Sequence, residues 1–246
     1  MLLSLKKTNR TNVKLSLKLL VFGILFITKN IYGQSLEVLL AKYKPEILKQ
    51  ANTADTCTYL TEQEKKTIQL CNLARINGKL FKENLILNYP EVAGNLNNNK
   101  YVSSLLKDIE KINNLPLLQP NYFYYHLAKQ HATDMGISGQ VGHNGSDQRF
   151  NKMIKKTAAY KCSENCDYGY DKAIDIVMHL LIDDGVVSLG HRKSILDKDF
   201  NSIGVSIMSH KKYEYNCVQL FAATGEKQEL SFWKKMLFWK KNISLN

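Results

Sequence analysis

Apolar positions recur at helical spacing along most of the chain, and strict alternation sets in only near its end. Residues 36–50, LEVLLAKYKPEILKQ, have helical spacing with Pro45 as an interruption. Residues 51–58 are small and polar and read as a linker. Thr61-Glu62-Gln63-Glu64 then opens a helix, because Thr61 can cap it and Glu64 stands three residues on, the capping-box arrangement. Ile68, Cys71, Leu73 and Ile76 carry this helix to Asn77-Gly78, which stops it. Further helices are predicted over 101–113, 122–135 (ended by Gly136), 148–158 and 171–184 (Asp171 near the cap). Pro116 and Pro120 bracket an extended segment. Polar segments read as loops at 95–100, 139–147, 160–170 and 185–190. Residues 202–209 and 213–222 alternate and are rich in β-formers, and His210-Lys211-Lys212 between them makes a hairpin.

Helices first and an antiparallel hairpin late predict an α+β fold, not a repeating βαβ sheet. No GxGxxG opens a helix after a strand and no Walker loop is present, which excludes the nucleotide-binding classes built on them.

Charge changes the picture only once it is located. The formal net charge of +12 suggests a polyanionic partner. Residues 1–33 hold six cations and no acid, and 227–246 hold five lysines and one glutamate. The body, 34–226, keeps 23 basic and 21 acidic residues, a net +2. A near-neutral body lacks the counterion-release term that drives nucleic-acid binding, so nucleic acid is excluded as the main partner.

Residues 1–33 have the layout of a signal peptide: a basic stretch to Lys18, an apolar core from Leu19 to Ile27, and a short polar segment ending at Gly33. The core is far shorter than the roughly 20 residues that span a bilayer. Cleavage is expected between Gly33 and Gln34, and a secreted or periplasmic product follows. All five cysteines (Cys57, Cys71, Cys162, Cys166, Cys217) lie in the mature chain. An odd number leaves at least one thiol over; Cys162–Cys166 and Cys57–Cys71 are possible pairs. The tail repeats Phe232-Trp-Lys-Lys235 as Phe238-Trp-Lys-Lys241. Lysine beside Trp and Phe suits a membrane–water interface, but a six-residue period does not fall on one helical face, and packing on the domain is the competing reading.

Candidate chemistry sits in four polar sites: Gly142-His143-Asn144, Ser163-Glu164-Asn165, Asp183-Asp184 and Gly190-His191-Arg192. Two imidazoles with carboxylates suit zinc or another borderline divalent ion, and the same groups suit acid–base work. Their spacing alone is not a metal motif.

With Leu73-Ala-Arg75, the run Leu127–Met135, Gly190–Leu196 and Ile203-Gly204-Val205, these segments resemble the CAP superfamily (SCP; the cysteine-rich secretory, antigen 5 and pathogenesis-related 1 proteins), closest to its bacterial secreted branch. The resemblance covers roughly 60–224. It implies an α-β-α sandwich, with helices on both faces of a small antiparallel sheet. It also implies a cleft tetrad of two histidines and two acids that can bind a divalent metal, often zinc. By motif position His143, Glu164 and His191 are three members; the fourth falls at Asp183 or Asp184, and alignment of the helix end favours Asp184. Where the family usually has glutamate, this chain has the shorter aspartate. The domain bounds that follow are a signal peptide at 1–33, an N-terminal extension at 34–57, a CAP-like domain at 58–224 with an insertion near 80–116, and a basic aromatic tail at 225–246.

Three functions compete. The first is a secreted module whose cleft binds a divalent metal or a small extracellular ligand without catalysis. The second is a hydrolase of envelope or extracellular substrates in which Glu164 activates a water. The third is a lipid-surface or protein-interaction module using the tail, with a small-molecule or lipid ligand. Among the remaining residues, His131 and Asp134 stand one turn apart and can pair with each other or cap neighbouring groups, with a site role as the lesser reading. His179, within an apolar helix, reads as a core or packing histidine. Tyr168 and Tyr170 read as cleft wall or ordinary packing, and Arg75 as half of a buried ion pair.

Overall fold

A computed structural model describes residues 35–95 and 98–225. The leader at 1–33 and the aromatic repeat at 232–241 lie outside the described residues. The first helices are α1 (Leu36–Leu40) and α2 (Pro45–Ala51), with Pro45 in the first turn of α2, where its missing N–H is harmless. The expected linker is packed rather than free: Ala51 and Ala54 are buried, and the Asn72 amide donates to the Ala51 carbonyl.

α3 (Glu62–Ile76) starts as its sequence dictates. The Glu64 N–H donates to Thr61 Oγ1, and the Thr61 N–H donates to the Glu64 carboxylate. Glu64 also accepts from the Ile207 N–H at 2.9 Å, so one capping residue ties the helix to the sheet. Residues 78–109 form α4 (Gly78–Asn84), a 3-10 turn at Ile86–Asn88, α5 (Pro90–Asn95) and α6 (Lys100–Ile109). After the short strand β1 (Gln119–Pro120) comes α7 (Tyr122–Ser138), capped by the Asn121 side chain. Gly136 does not end this helix; Gly139 does, in the left-handed conformation at φ +73. α8 (Ser146–Thr157) leads into β2 (Lys161–Tyr168). α9 (Ala173–Ile182), α10 (Gly190–Ile195) and the hairpin β3 (Ser202–His210) and β4 (Glu214–Ala223) complete the order.

Residues 160–170 were expected as a loop, and most of them are strand. The polar run KCSENCDY hides the alternation, because here both faces of the strand carry buried polar groups. The sheet order is β1-β3-β4-β2, with β1 parallel to β3 and the other pairs antiparallel. β2 is therefore an edge strand, with Glu164 opposite Leu220 and Asp167 opposite Cys217.

Each face of the sheet has its own core. Val218, Leu220 and Ala222 pack with α7 and α8 on one side. Cys217 and Phe221 pack with α3, α9 and the helices of 78–109 on the other. This is the α-β-α sandwich. Two glycines set α7 directly on β3. A Cβ on Gly204 would stand 2.3 Å from the Tyr124 carbonyl carbon, and one on Gly136 would stand 2.2 Å from the Ser209 oxygen. Twelve residues of helix and five of strand both rise roughly 17–18 Å, so the helix lies along the strand between these two contacts. That close approach brings His131 to the sheet.

Candidate functional site

The cleft forms around β2. Successive side chains of a strand point to opposite faces. Glu164, Cys166 and Tyr168 accordingly face α7 and α8, whereas Ser163, Asn165 and Asp167 face α9 and α10. His143 comes from the loop between α7 and α8. Gly142 (φ +96) and Gly145 (φ +74) let that loop turn back over the strand. The Tyr168 hydroxyl accepts from the Gly142 N–H at 2.6 Å and anchors it.

His143 Nδ1 meets Glu164 Oε1 at 2.9 Å. Arg149 clamps the same carboxylate from α8, with Nε donating to Oε2 at 2.6 Å and NH2 donating to Oε1 at 2.7 Å. Burial pushes the Glu164 carboxyl up, but the hydrogen bonds from His143 and Arg149 and the charge of Arg149 outweigh it, and the net shift is down.

His191 approaches from the other face. The Asn165 amide donates to its carbonyl at 3.1 Å. The acid on its ring is Asp183, not Asp184. Asp183 Oδ1 meets His191 Nδ1 at 2.8 Å, and Oδ2 accepts the N–H groups of His191 and Arg192 at 3.0 and 3.1 Å. Asp184 instead accepts from the Asn99 amide at 2.9 Å. The cause is the backbone. Asp183 is left-handed (φ +58) at the end of α9, so the chain turns sharply there and the helical register no longer says which aspartate faces the histidine.

The His143 and His191 rings stand 6.4 Å apart between centroids, with side chains 47% and 23% exposed. Each ring is held through Nδ1 by a buried acid, and among the described residues no hydrogen bond engages Nε2 of either. A carboxylate on one ring nitrogen is the usual way to aim the other at a metal.

The model of the cysteine-rich secretory protein family, CAP, matches residues 70–221. The chain belongs to that family. Three solved structures are similar to it. An outer surface protein from Borrelia burgdorferi is 19% identical, with a TM-score of 0.38 over 55% of this chain and 95% of that one. A cysteine-rich secretory protein from Staphylococcus aureus is 11% identical, with a TM-score of 0.39 over 67% and 41%. The CAP domain of enterococcal PrgA is 19% identical, with a TM-score of 0.34 over 74% and 89%. A search of curated proteins found no match.

Besides Arg149, the cleft takes in His131 and Cys166. His131 does not pair with Asp134; its Nε2 lies 2.9 Å from the Gly142 oxygen and 3.8 Å from Glu164 Oε1. Cys166 Sγ lies 3.7 Å from His143 Nδ1 and 3.9 Å from Glu164 Oε1. One donor atom each from His131, Glu164 and Cys166 fall within 4.8 Å of one another, close enough for a metal ion. A cavity of about 380 Å³ between α7 and α8 opens onto His131 and Arg149, and another of about 210 Å³ onto His143 and Glu164. Reading 160–170 as strand would have exposed Glu164 and Cys166 as neighbours on one face.

All five cysteines are free thiols. Cys162 and Cys166, four residues apart on one strand, are separated by roughly 13 Å, beyond the reach of a disulfide. Among the described residues Arg75 has no ion-pair partner; its guanidinium donates to the carbonyls of Pro116, Ile195, Asp197 and Phe200. His179 is a packing rather than a core histidine: its ring stands 5.3 Å from that of Tyr170, its Nδ1 bonds the buried Asp167, and its side chain is 43% exposed.

Proposed function

We propose that the protein is an exported CAP module that binds a divalent cation, zinc by preference, through Nε2 of His143 and His191. The observation that carries this reading is the pair of rings 6.4 Å apart, each with Nδ1 taken by a buried acid. Two imidazoles suit zinc, and when bound such an ion supplies Lewis acidity or a docking point for an extracellular ligand. Glu164 and Asp183 serve as the groups that orient the rings. The hydrolytic alternative has less support, because Arg149 engages both oxygens of Glu164 and leaves it a poor base.

The test is zinc binding by calorimetry, with metal content by mass spectrometry, on the full chain and on His143→Ala and His191→Ala. Each substitution is expected to weaken binding at least about tenfold. Unchanged affinity in both variants ends the proposal.

Export rests on the leader layout of 1–33. Amino-terminal sequencing of the exported protein is expected to begin at Gln34, and an uncut cytoplasmic chain would contradict it. For the basic aromatic tail we propose contact with anionic lipid. Deletion of 227–246 is expected to abolish binding to vesicles containing phosphatidylserine, and undiminished binding removes the idea.

A further inference from the structure

We infer a second metal site beneath the histidine pair, in which His131, Glu164 and Cys166 hold a thiophilic ion. It shares the cleft with the site proposed above but needs neither His143 nor His191 as a ligand.

Three elements build it. Glu164 and Cys166 lie two residues apart on β2 and therefore project from the same face. α7 brings His131 to that face because Gly136 and Gly204 let the helix rest directly on the sheet. Glu164 Oε1 lies 3.8 Å from His131 Nε2 and 3.9 Å from Cys166 Sγ. In a tetrahedral zinc site, bonds of about 2.0 Å to nitrogen and 2.3 Å to sulfur put donor atoms roughly 3.3–3.6 Å apart. A contraction of a few tenths of an ångström is enough on these two edges.

The surroundings fit as well. Arg149 already orients Glu164 through both oxygens, as an outer partner of a ligating carboxylate does, and on binding Oε1 exchanges a contact with Arg149 or His143 for the metal. The 380 Å³ cavity bordering His131 offers an entry path. No other cysteine on β2 is placed to oxidise Cys166 into a disulfide, so the thiol stays available after export.

On binding, the Cys166 thiol releases its proton to solvent and a metal–sulfur bond forms. His131 moves its ring proton from Nε2 to Nδ1 and exchanges its contact with the Gly142 oxygen for the metal. Thiolate and carboxylate together neutralise a divalent ion. Sulfur selects Zn²⁺, Co²⁺ or Cu⁺ and disfavours Mg²⁺ and Ca²⁺.

The experiment is Co²⁺ titration of the full chain, followed by the near-ultraviolet thiolate-to-cobalt charge-transfer band. The band is expected in the wild type, lost in Cys166→Ser, weakened in His131→Ala and retained in the His143→Ala/His191→Ala double variant. Absence of the band in the wild type, or its survival in Cys166→Ser, overturns the proposal. Loss of the band in the double variant also overturns it, because the thiol would then belong to a single shared site. Should Cys166→Ser fail to fold, zinc-edge X-ray absorption of the wild type decides: one sulfur neighbour supports the site and none refutes it. The histidine-pair reading fails separately, when the double variant keeps the full zinc content of the wild type.

Discussion

Glu164 and Asp167 lie three residues apart on one edge strand, and their side chains are 1% and 0% exposed. Equal burial nevertheless ends in opposite electrostatics. Glu164 faces α7 and α8, takes two hydrogen bonds from Arg149 and one from His143, and its carboxyl is held below the usual range. Asp167 faces α9, has the His179 ring as its partner, and keeps Oδ2 without one among the described residues. Burial wins there, and the Asp167 carboxyl is pushed up despite His179. Desolvation is similar on the two faces; the number and charge of the donors decides the sign. The side with a full donor set holds Glu164, Cys166 and the partner of His143, while His191 and Asp183 come from the other.

The largest expected effect comes from removing the clamp. Arg149→Met leaves Glu164 buried with an uncompensated charge, and about 3–5 kcal/mol of stability should be lost in urea unfolding. The double variant with Glu164→Gln should recover much of that loss. If Arg149→Met alone costs below about 1 kcal/mol, the clamp is not what holds Glu164 ionised. Asp167→Asn should cost less, about 1–3 kcal/mol, because it removes a single ion pair whose acid is already poorly solvated. A larger loss than for Arg149→Met would reverse the comparison.

Titration should separate the faces further. The folded Glu164 carboxyl titrates below its ordinary 4.5. The unfolded chain therefore binds protons first, and stability present above that value is lost as pH falls through the folded value. Melting temperature measured down to pH 2 should show this acid limb, and Glu164→Gln should flatten it.

The Asp167–His179 pair has the opposite sign. Its hydrogen bond to Asp167 raises His179 above the ordinary 6.5, and the folded pair holds its proton more tightly than the unfolded chain does. Its contribution is full below 6.5 and is lost as pH rises through the folded value. The change is the smallest of the four. It should appear as a decline in melting temperature on the alkaline side, absent from His179→Gln. A wild-type curve that rises there instead would break the assignment.

The helices were largely legible because each carries its own instructions within a turn or two. Thr61 and Glu64 specify the start of α3 without help from the rest of the molecule, and Pro45 marks the first turn of α2. The cleft histidines were legible through the order of short motifs. β2 was not, since Glu164 breaks the alternation of Cys162, Cys166 and Tyr168 with polar residues. The choice between Asp183 and Asp184 was not legible either, because a left-handed residue resets the direction of the side chains that follow.

From sequence alone came the α+β class, the late hairpin, the family and the candidacy of His143, Glu164 and His191. Those properties depend on local periodicity, capping and motif spacing, which a linear string records. Tertiary structure alone decided that Asp183 holds His191, that Arg149 engages both oxygens of Glu164, and that His131 and Cys166 lie beside it. These groups come from α7, α8, β2 and the segment following α9. Their meeting depends on a helix resting on two glycines and on which face of an edge strand each residue takes, and both are settled only when the layers pack.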